Sequence, residues 1–298
     1  RGAMGAAGGA CASLRWACAL ALGWGRRAPA EQHGPAPELP ERLLDSGLTS
    51  REFKQQLMGL FRSTRWSSAT ALEIGAGGGY TTAPLSTVFR LVIALEAFWN
   101  RSAQWDQSGS LGDRHSGFGW IDQHRRNALR VSLETGQPHA LDIFAFQNIS
   151  VVVIDGNHDF EHVYRDTFAA LHDIPCCVRT IVYHDYCDDV VFKVVRAFVS
   201  SGLLAFQGPV GVRRWEQWWC REGRPEGAAF RVLRDESSGG FAGRLDGLSR
   251  LATQQQSEAS TRARLNGTTW LLLGRAPLGL LTLHFWPASC ALELFGAR

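Results

Sequence analysis

The chain has 298 residues, 45% of them hydrophobic and 20% charged, and a formal net charge of +3. That suits a globular protein with a sizeable core, in one large domain or two small ones. The charge is too small and too evenly spread to point to nucleic acid or an anionic membrane surface as a partner. Seven cysteines, an odd number with no Cys-x-x-Cys among them, indicate neither a zinc site nor a disulfide framework. The adjacent Cys176 and Cys177 are read, like the others, as small buried residues.

Residues 1–40 are rich in Ala, Gly, Pro and Arg. Within them Trp16 to Gly25 is an apolar run flanked by Arg15 and by Arg26-Arg27, and Ala28-Pro29-Ala30 could serve as a cleavage site. The run fits the core of a signal peptide and is too short to span a bilayer. A disordered alanine-rich leader is the other reading, so a cytoplasmic location and the secretory route both stay open. Three asparagines, Asn100, Asn148 and Asn266, stand in Asn-x-Ser/Thr, which leans toward secretion, although two of them precede expected core strands.

Residues 31–47 read as a linker. A helix opens after Ser50, a candidate N-cap, with Phe53, Leu57, Leu60 and Phe61 on one face. It belongs to an N-terminal helical segment, 41–67. Ser68 to Ile74 is then a buried strand, and Gly75-Ala76-Gly77-Gly78-Gly79-Tyr80 a glycine turn leading into a short helix at Thr81–Phe89. Strand, glycine turn and helix amino end make a nucleotide-binding unit, because glycine lets the backbone approach a ligand that a Cβ would repel. A second strand, Leu91–Leu95, ends on Glu96, at the distance where a carboxylate accepts from both hydroxyls of a ribose.

Residues 98–120 carry Phe98, Trp99, Trp105, Phe118 and Trp120 with no period, and read as a long loop beside the ligand crevice. Ile121–Arg130 can be a helix and Val131–Leu133 a third strand, with Glu134 at its tip. Val151–Ile154 is a fourth strand, a β-branched run suited to burial on both faces. It ends in Asp155-Gly156-Asn157-His158-Asp159-Phe160-Glu161. A helix at 162–171, a fifth strand at 180–183 closed by His184-Asp185, a helix at 190–200 and a sixth strand at 203–210 follow. Thr268–Leu273 is the expected seventh strand, which makes 213–265 an insertion. This insertion holds Trp215, Trp218 and Trp219 and a polar helical stretch from Phe241 to Arg264. The main domain therefore runs 68–276, with a tail at 277–298 that fits no element. The strand–helix alternation predicts an α/β, Rossmann-like, doubly wound and mostly parallel seven-stranded sheet.

Glu73-x-Gly75-x-Gly77-x-Gly79 resembles the first motif of class I S-adenosylmethionine-dependent methyltransferases. The dinucleotide pattern G-x-G-x-x-G is not met, since Tyr80 stands where its third glycine belongs. The Ile154-Asp155-Gly156-x-His158-x-Phe160-Glu161 segment and the His184-Asp185 strand end resemble a branch that O-methylates sugars and natural-product hydroxyls, in several members with magnesium. The resemblance covers residues 68 to about 212 and departs from the pattern at Phe160, a tyrosine in the branch, and in the turn before strand five. It implies S-adenosyl-L-methionine as cofactor, held by Glu73, Gly75, Gly77, Gly79, Tyr80, Glu96, Glu134 and Asp155, and a small-molecule or carbohydrate acceptor.

The residues allow the chemistry to be argued directly. Asp155 and Asp185 end neighbouring strands, and two carboxylates there need a cation or a proton between them. A hard divalent cation such as magnesium, bound by Asp155 and Asp185, is one solution. His158 or His184 could take the proton of an acceptor hydroxyl. Asp185 thus joins the two histidines as a catalytic candidate. Two rivals stand beside this reading: a nicotinamide-dependent oxidoreductase, which shares the strand–turn–helix opening, and a methyltransferase-like binding module without catalysis, whose Trp-rich insertion would suit sugar stacking.

Overall fold

The computed structural model describes residues 38–45, 49–97, 116–133, 141, 144, 147–174, 177–212, 220–234, 240–250 and 253. Glu134, the tryptophans at 99, 105, 215, 218 and 219, and the expected strand at 268–273 lie outside them, as does nearly all of the unit Arg1–Glu38.

The described helices are α1 (Glu41–Leu44), α2 (Arg51–Leu60), α3 (Thr82–Val88), α4 (Gly117–His124), α5 (Phe160–His172), α6 (Asp189–Ser200) and α7 (240–250). The strands are β1 (Thr70–Ile74), β2 (Leu91–Glu96), β3 (Ala128–Ser132), β4 (Ile149–Ile154), β5 (Thr180–Tyr183), β6 (Leu204–Val210) and β7 (Gly227–Val232). They form one seven-stranded sheet in the order β3-β2-β1-β4-β5-β7-β6. Pairings from β3 through β5 are parallel, and β7 runs antiparallel to both of its neighbours. The expected doubly wound α/β sheet is therefore present.

Strands of such a sheet are apolar on both faces because helices cover both. Leu72 and Ile74 of β1 point into the larger core cluster, with Val152 and Ile154 of β4, Val163 and Leu171 of α5, Val194 and Phe198 of α6, and Phe241 and Leu245 of α7. Ala71 of β1 points the other way, with Val151 and Val153, onto Phe53 and Leu57 of α2 and Leu85 of α3. Ser50 caps α2 as its sequence position suggests, accepting from the Phe53 N–H at 2.9 Å. Asp188 does the same for α6, accepting from Val190 and Val191.

Four expectations are corrected. The linker at 31–47 contains α1, whose Leu43 and Leu44 are buried. The helix placed at 121–130 is α4, which starts inside the supposed loop 98–120. Ser116 caps it by accepting from Gly119 N–H, and β3 starts at Ala128 rather than Val131. The glycines at 117 and 119 hide the helix from propensity, and Gly117 is needed because a Cβ there would lie 1.9 Å from the Gly79 carbonyl oxygen. The seventh strand of the sheet comes early, inside the supposed insertion 213–265. Finally, Cys187 and Cys220 form a disulfide across 33 residues, and Cys177 is disulfide-bonded as well.

Room for change is unequal even on the α2 side of the sheet. Gly227 has Phe53 Cε2 at 2.4 Å and the Tyr183 carbonyl oxygen at 2.6 Å from any added Cβ, whereas nothing lies within 4 Å at Gly59 of α2. In urea denaturation, Gly227→Ala should destabilise the fold by about 1–3 kcal/mol through overpacking. Gly59→Ala should instead stabilise it, by up to about 1 kcal/mol through helix propensity.

Candidate functional site

Chain connections after β1 and β4 leave toward opposite faces of the sheet: α3 packs on one core and α5 on the other. Adjacent strands with diverging connections open a crevice at their carboxyl ends, the usual ligand position in open α/β sheets.

The glycine turn forms one wall. Gly75, Gly77 and Gly79 have φ of +88°, +48° and +80°, in the left-handed region that glycine occupies without penalty. A Cβ on Gly75 would lie 2.2 Å from the Asp155 carbonyl oxygen. That residue thus permits the turn to touch the β4 end, and a side chain there would force the two apart. Gly77 differs, for nothing lies within 4 Å of its added Cβ, so it faces open space. Gly79 rests on the Phe118 ring, and the Tyr80 ring folds back over Gly78. Glu96 leans over the turn and accepts from the Gly77 N–H at 3.1 Å.

Glu73 lies beneath the turn. It is 1% exposed and accepts a hydrogen bond from the Thr82 hydroxyl at the start of α3. Burial drives its carboxyl pKa well above the usual range, and the charges of Asp155 and Glu96 push the same way. Glu73 braces the turn from below.

The second wall is a charged cluster at the ends of β4 and β5. One donor atom from each of Asp155, His158, His184 and Asp185 lies within 4.8 Å of the others. His184 Nδ1 stands 2.8 Å from Asp155 Oδ1 and 2.9 Å from Asp185 Oδ2, and His158 Nε2 stands 2.9 Å from that same Asp185 oxygen. Asp185 takes a left-handed φ of +49°, unusual outside glycine, at the point where the chain leaves β5. Its carboxylate is thereby part of the cluster. Sequence reasoning brought these four residues to one place, and the structure joins them.

It missed the fifth. Glu226, fully buried just before β7, faces the other ring nitrogen of His184, Nε2, at 3.0 Å. The same carboxylate accepts from the Ser50 backbone N–H at 2.7 Å and from the Ser50 hydroxyl. Phe53 adds an edge-on ring contact to His184 at 4.9 Å between centroids.

Charges follow from these partners. Burial lowers the His184 pKa, but Asp155, Asp185 and Glu226 outweigh it and hold the ring well above its ordinary value. Burial also works against His158, and the bond to Asp185 reverses that. Burial would raise Asp185; the His158 and His184 rings beside it instead hold it well below the carboxylate range. His184, with carboxylates facing both nitrogens and 2% of its side chain exposed, is closed off from solvent and from an acceptor. His158, 41% exposed at the crevice mouth, is the ring that can exchange a proton.

No family model matches the sequence, and no curated protein matches it significantly. Solved structures of similar fold include a precorrin-6y C5,15-methyltransferase from Geobacter metallireducens, at 15% identity over 67% of this chain and 100% of that one, TM-score 0.42. A precorrin-8w decarboxylase from Methanobacterium thermoautotrophicum matches at 15% identity over 64% and 93%, TM-score 0.40. A tRNA (m1A58) methyltransferase from Aquifex aeolicus matches at 13% identity over 67% and 77%, TM-score 0.40. At these identities and scores the likeness carries neither activity nor substrate to this chain.

Glu73 gives the site a pH signature. A carboxyl whose pKa is raised on folding stabilises the fold fully below its unfolded value of 4.5 and loses that stabilisation as pH rises toward the raised value. Glu73→Gln keeps an acceptor for Thr82 and cannot ionise. In urea melts it should match the wild type near about pH 4 and exceed it near about pH 7.5.

Proposed function

We propose that the chain is an S-adenosylmethionine-dependent methyltransferase acting on a hydroxyl of a small molecule or sugar. The observation that carries this is the left-handed Gly75–Gly79 turn pressed against the end of β4, with open space over Gly77 and an acid, Glu96, at its rim. That cradle suits a nucleoside-bearing ligand whose amino-acid part lies on bare backbone and whose ribose meets a carboxylate. Bound there, the cofactor supplies an activated sulfonium methyl group.

The chain's own residues then have limited tasks. The turn and Glu96 orient the cofactor, and Asp155, at the boundary of both walls, faces it and the acceptor. His158 takes the acceptor's hydroxyl proton, being the exposed ring of the two. His184 is withdrawn from that role by its burial among carboxylates and keeps Asp155 and Asp185 in register instead. Asp155 and Asp185 are suited to hold a divalent cation, for which the sequence resemblance suggests magnesium; such an ion would lower the acceptor hydroxyl's pKa.

Two features support the secretory alternative for location: the Cys187–Cys220 disulfide, since such bonds persist in oxidising compartments, and the exposure of Asn148.

Calorimetry with S-adenosylhomocysteine tests the cradle. Gly77→Asn, a residue that tolerates the left-handed φ of +48°, points its side chain into space that no protein atom fills, so it should abolish binding while the protein stays folded. Glu96→Ala should weaken binding by about 1.5–3 kcal/mol. Wild-type affinity in both variants would overturn the assignment. In a methyl-acceptor screen, His158→Ala should lower turnover by about 10²–10⁴-fold and leave S-adenosylhomocysteine affinity unchanged. Excess EDTA should lower turnover in the same way. A shift in melting temperature with NADH and none with S-adenosylhomocysteine would favour the oxidoreductase instead.

A further inference from the structure

The distances and the angles in the Asp155/His158/His184/Asp185 cluster point in different directions. His184 Nδ1 lies 2.8 and 2.9 Å from two carboxylate oxygens, yet it makes no hydrogen bond of acceptable angle, and Asp185 Oδ1 is likewise buried without a hydrogen-bond partner. A network of hydrogen bonds would aim the N–H at one oxygen. Here the ring nitrogen sits instead in a group of four donor atoms that all lie within 4.8 Å of one another.

The nature of the donors limits the ion. Magnesium takes oxygen and keeps water, while imidazole nitrogen suits zinc, iron, cobalt and nickel. His184 cannot turn away from the cluster, because its far nitrogen Nε2 is engaged by Glu226. Glu226 is in turn fixed by the Ser50 backbone and hydroxyl at the cap of α2. A ligating histidine that gives its other nitrogen to a buried carboxylate is the usual arrangement at metal centres, where the carboxylate fixes the ring's tautomer and direction.

We propose that Asp155, His184 and Asp185 bind a divalent transition-metal ion in preference to magnesium, with Glu226 as the positioning residue that presents His184 Nδ1 to it. This rests on the reading of Asp155 and Asp185 as metal ligands and adds an imidazole nitrogen to its oxygen-only ligand set, leaving His158 at the rim as the base. Asp155 and His158 form the open side, through which the ion enters and an acceptor oxygen can reach it. Glu226 and Ser50 form the closed side.

The test measures metal binding directly, on the full chain with its disulfides intact and no cofactor present. Cobalt(II) chloride and magnesium chloride are titrated separately, by calorimetry and, for cobalt, by visible absorption. The wild type should bind cobalt at least about 100-fold more tightly than magnesium, with new visible bands from nitrogen coordination. Asp155→Asn/Asp185→Asn should lose both. Glu226→Ala should weaken cobalt about 10–100-fold and leave magnesium nearly unchanged, whereas Glu226→Gln, whose amide oxygen can still accept from Nε2, should recover most of the loss. Should Glu226→Ala fail to fold, Ser50→Ala loosens the same clamp from outside the cluster and should weaken cobalt alone, by a smaller factor. Equal affinity for the two ions in the wild type would overturn the proposal. Undiminished cobalt binding in the double aspartate variant would do so too, as would wild-type cobalt affinity in every variant of the Glu226–Ser50 clamp. A protein that binds cobalt as expected but not S-adenosylhomocysteine keeps this inference and loses the proposed function; the reverse result removes the metal preference alone.

Discussion

Everything at the crevice depends on how closely two backbones approach. The turn after β1 meets the end of β4 where a single methyl group on Gly75 would stand 2.2 Å from the Asp155 carbonyl oxygen. The Asp155 N–H donates to the Ile74 carbonyl at 2.9 Å, and the Gly75 and Ala76 N–H groups donate to Leu95 at 2.9 and 3.0 Å. The parallel ladder is thus carried one step beyond the strands on both sides of β1, and the turn is held as firmly as the sheet. Phe118 under Gly79 and Gly117 against its carbonyl close the outer side. A ligand laid on this turn meets a surface that needs no rearrangement, which spares the ordering cost that a mobile loop would add to binding.

The charged cluster has the opposite character. Three carboxylates, Asp155, Asp185 and Glu226, surround one buried imidazole, with His158 at the edge. Removing ions from water is costly, and a buried set of this kind adds little net stability unless its charges and hydrogen bonds are nearly all met. Two atoms, His184 Nδ1 and Asp185 Oδ1, are not met by hydrogen bonds, and both belong to the cluster. A fold seeking stability alone would fill this space with apolar side chains. The backbone concession at Asp185, a left-handed φ outside glycine, is a further local strain at the same candidate site.

Local pattern made the β1 unit and the ends of β4 and β5 legible. Glu73-x-Gly-x-Gly-x-Gly, Asp155-Gly-x-His158 and His184-Asp185 each follow an apolar strand, and alternation of elements places all three at one edge of the sheet. The features that were not legible depend on partners distant in the chain. Glu226 reaches His184 across 42 residues and Ser50 across 176. No local period marks it, and only a buried acid directly before a strand would have hinted at it. That strand was itself hidden. Gly227, Ala228 and Ala229 have weak strand propensity, yet Gly227 must be small because Phe53 and the Tyr183 carbonyl crowd it. The apparent flaw in the pattern is the mark of tight packing. The cysteine count concealed the Cys187–Cys220 bridge for a related reason, since an odd total says nothing about which two lie side by side. Glu73 was read for its charge, and the structure adds that it is buried and bonded to Thr82 under the turn.

The antiparallel strand β7 has a consequence for how the chain must be assembled. It lies between β5 and β6, so these two strands, made earlier, cannot pair with each other and wait for it. A chain released from the ribosome before residue 227 would present β5 as a bare edge. It would leave β6 unattached, with its exposed Phe206 beside it. Exposed edges of apolar strands recruit other chains. Among the described residues the new edge is β6, which carries Pro209 and an irregular register near Gly208, features that discourage further strands from joining. The late strand therefore also decides where the sheet stops growing. Because Glu226 precedes it directly, the buried centre is completed by the same step that seals the sheet.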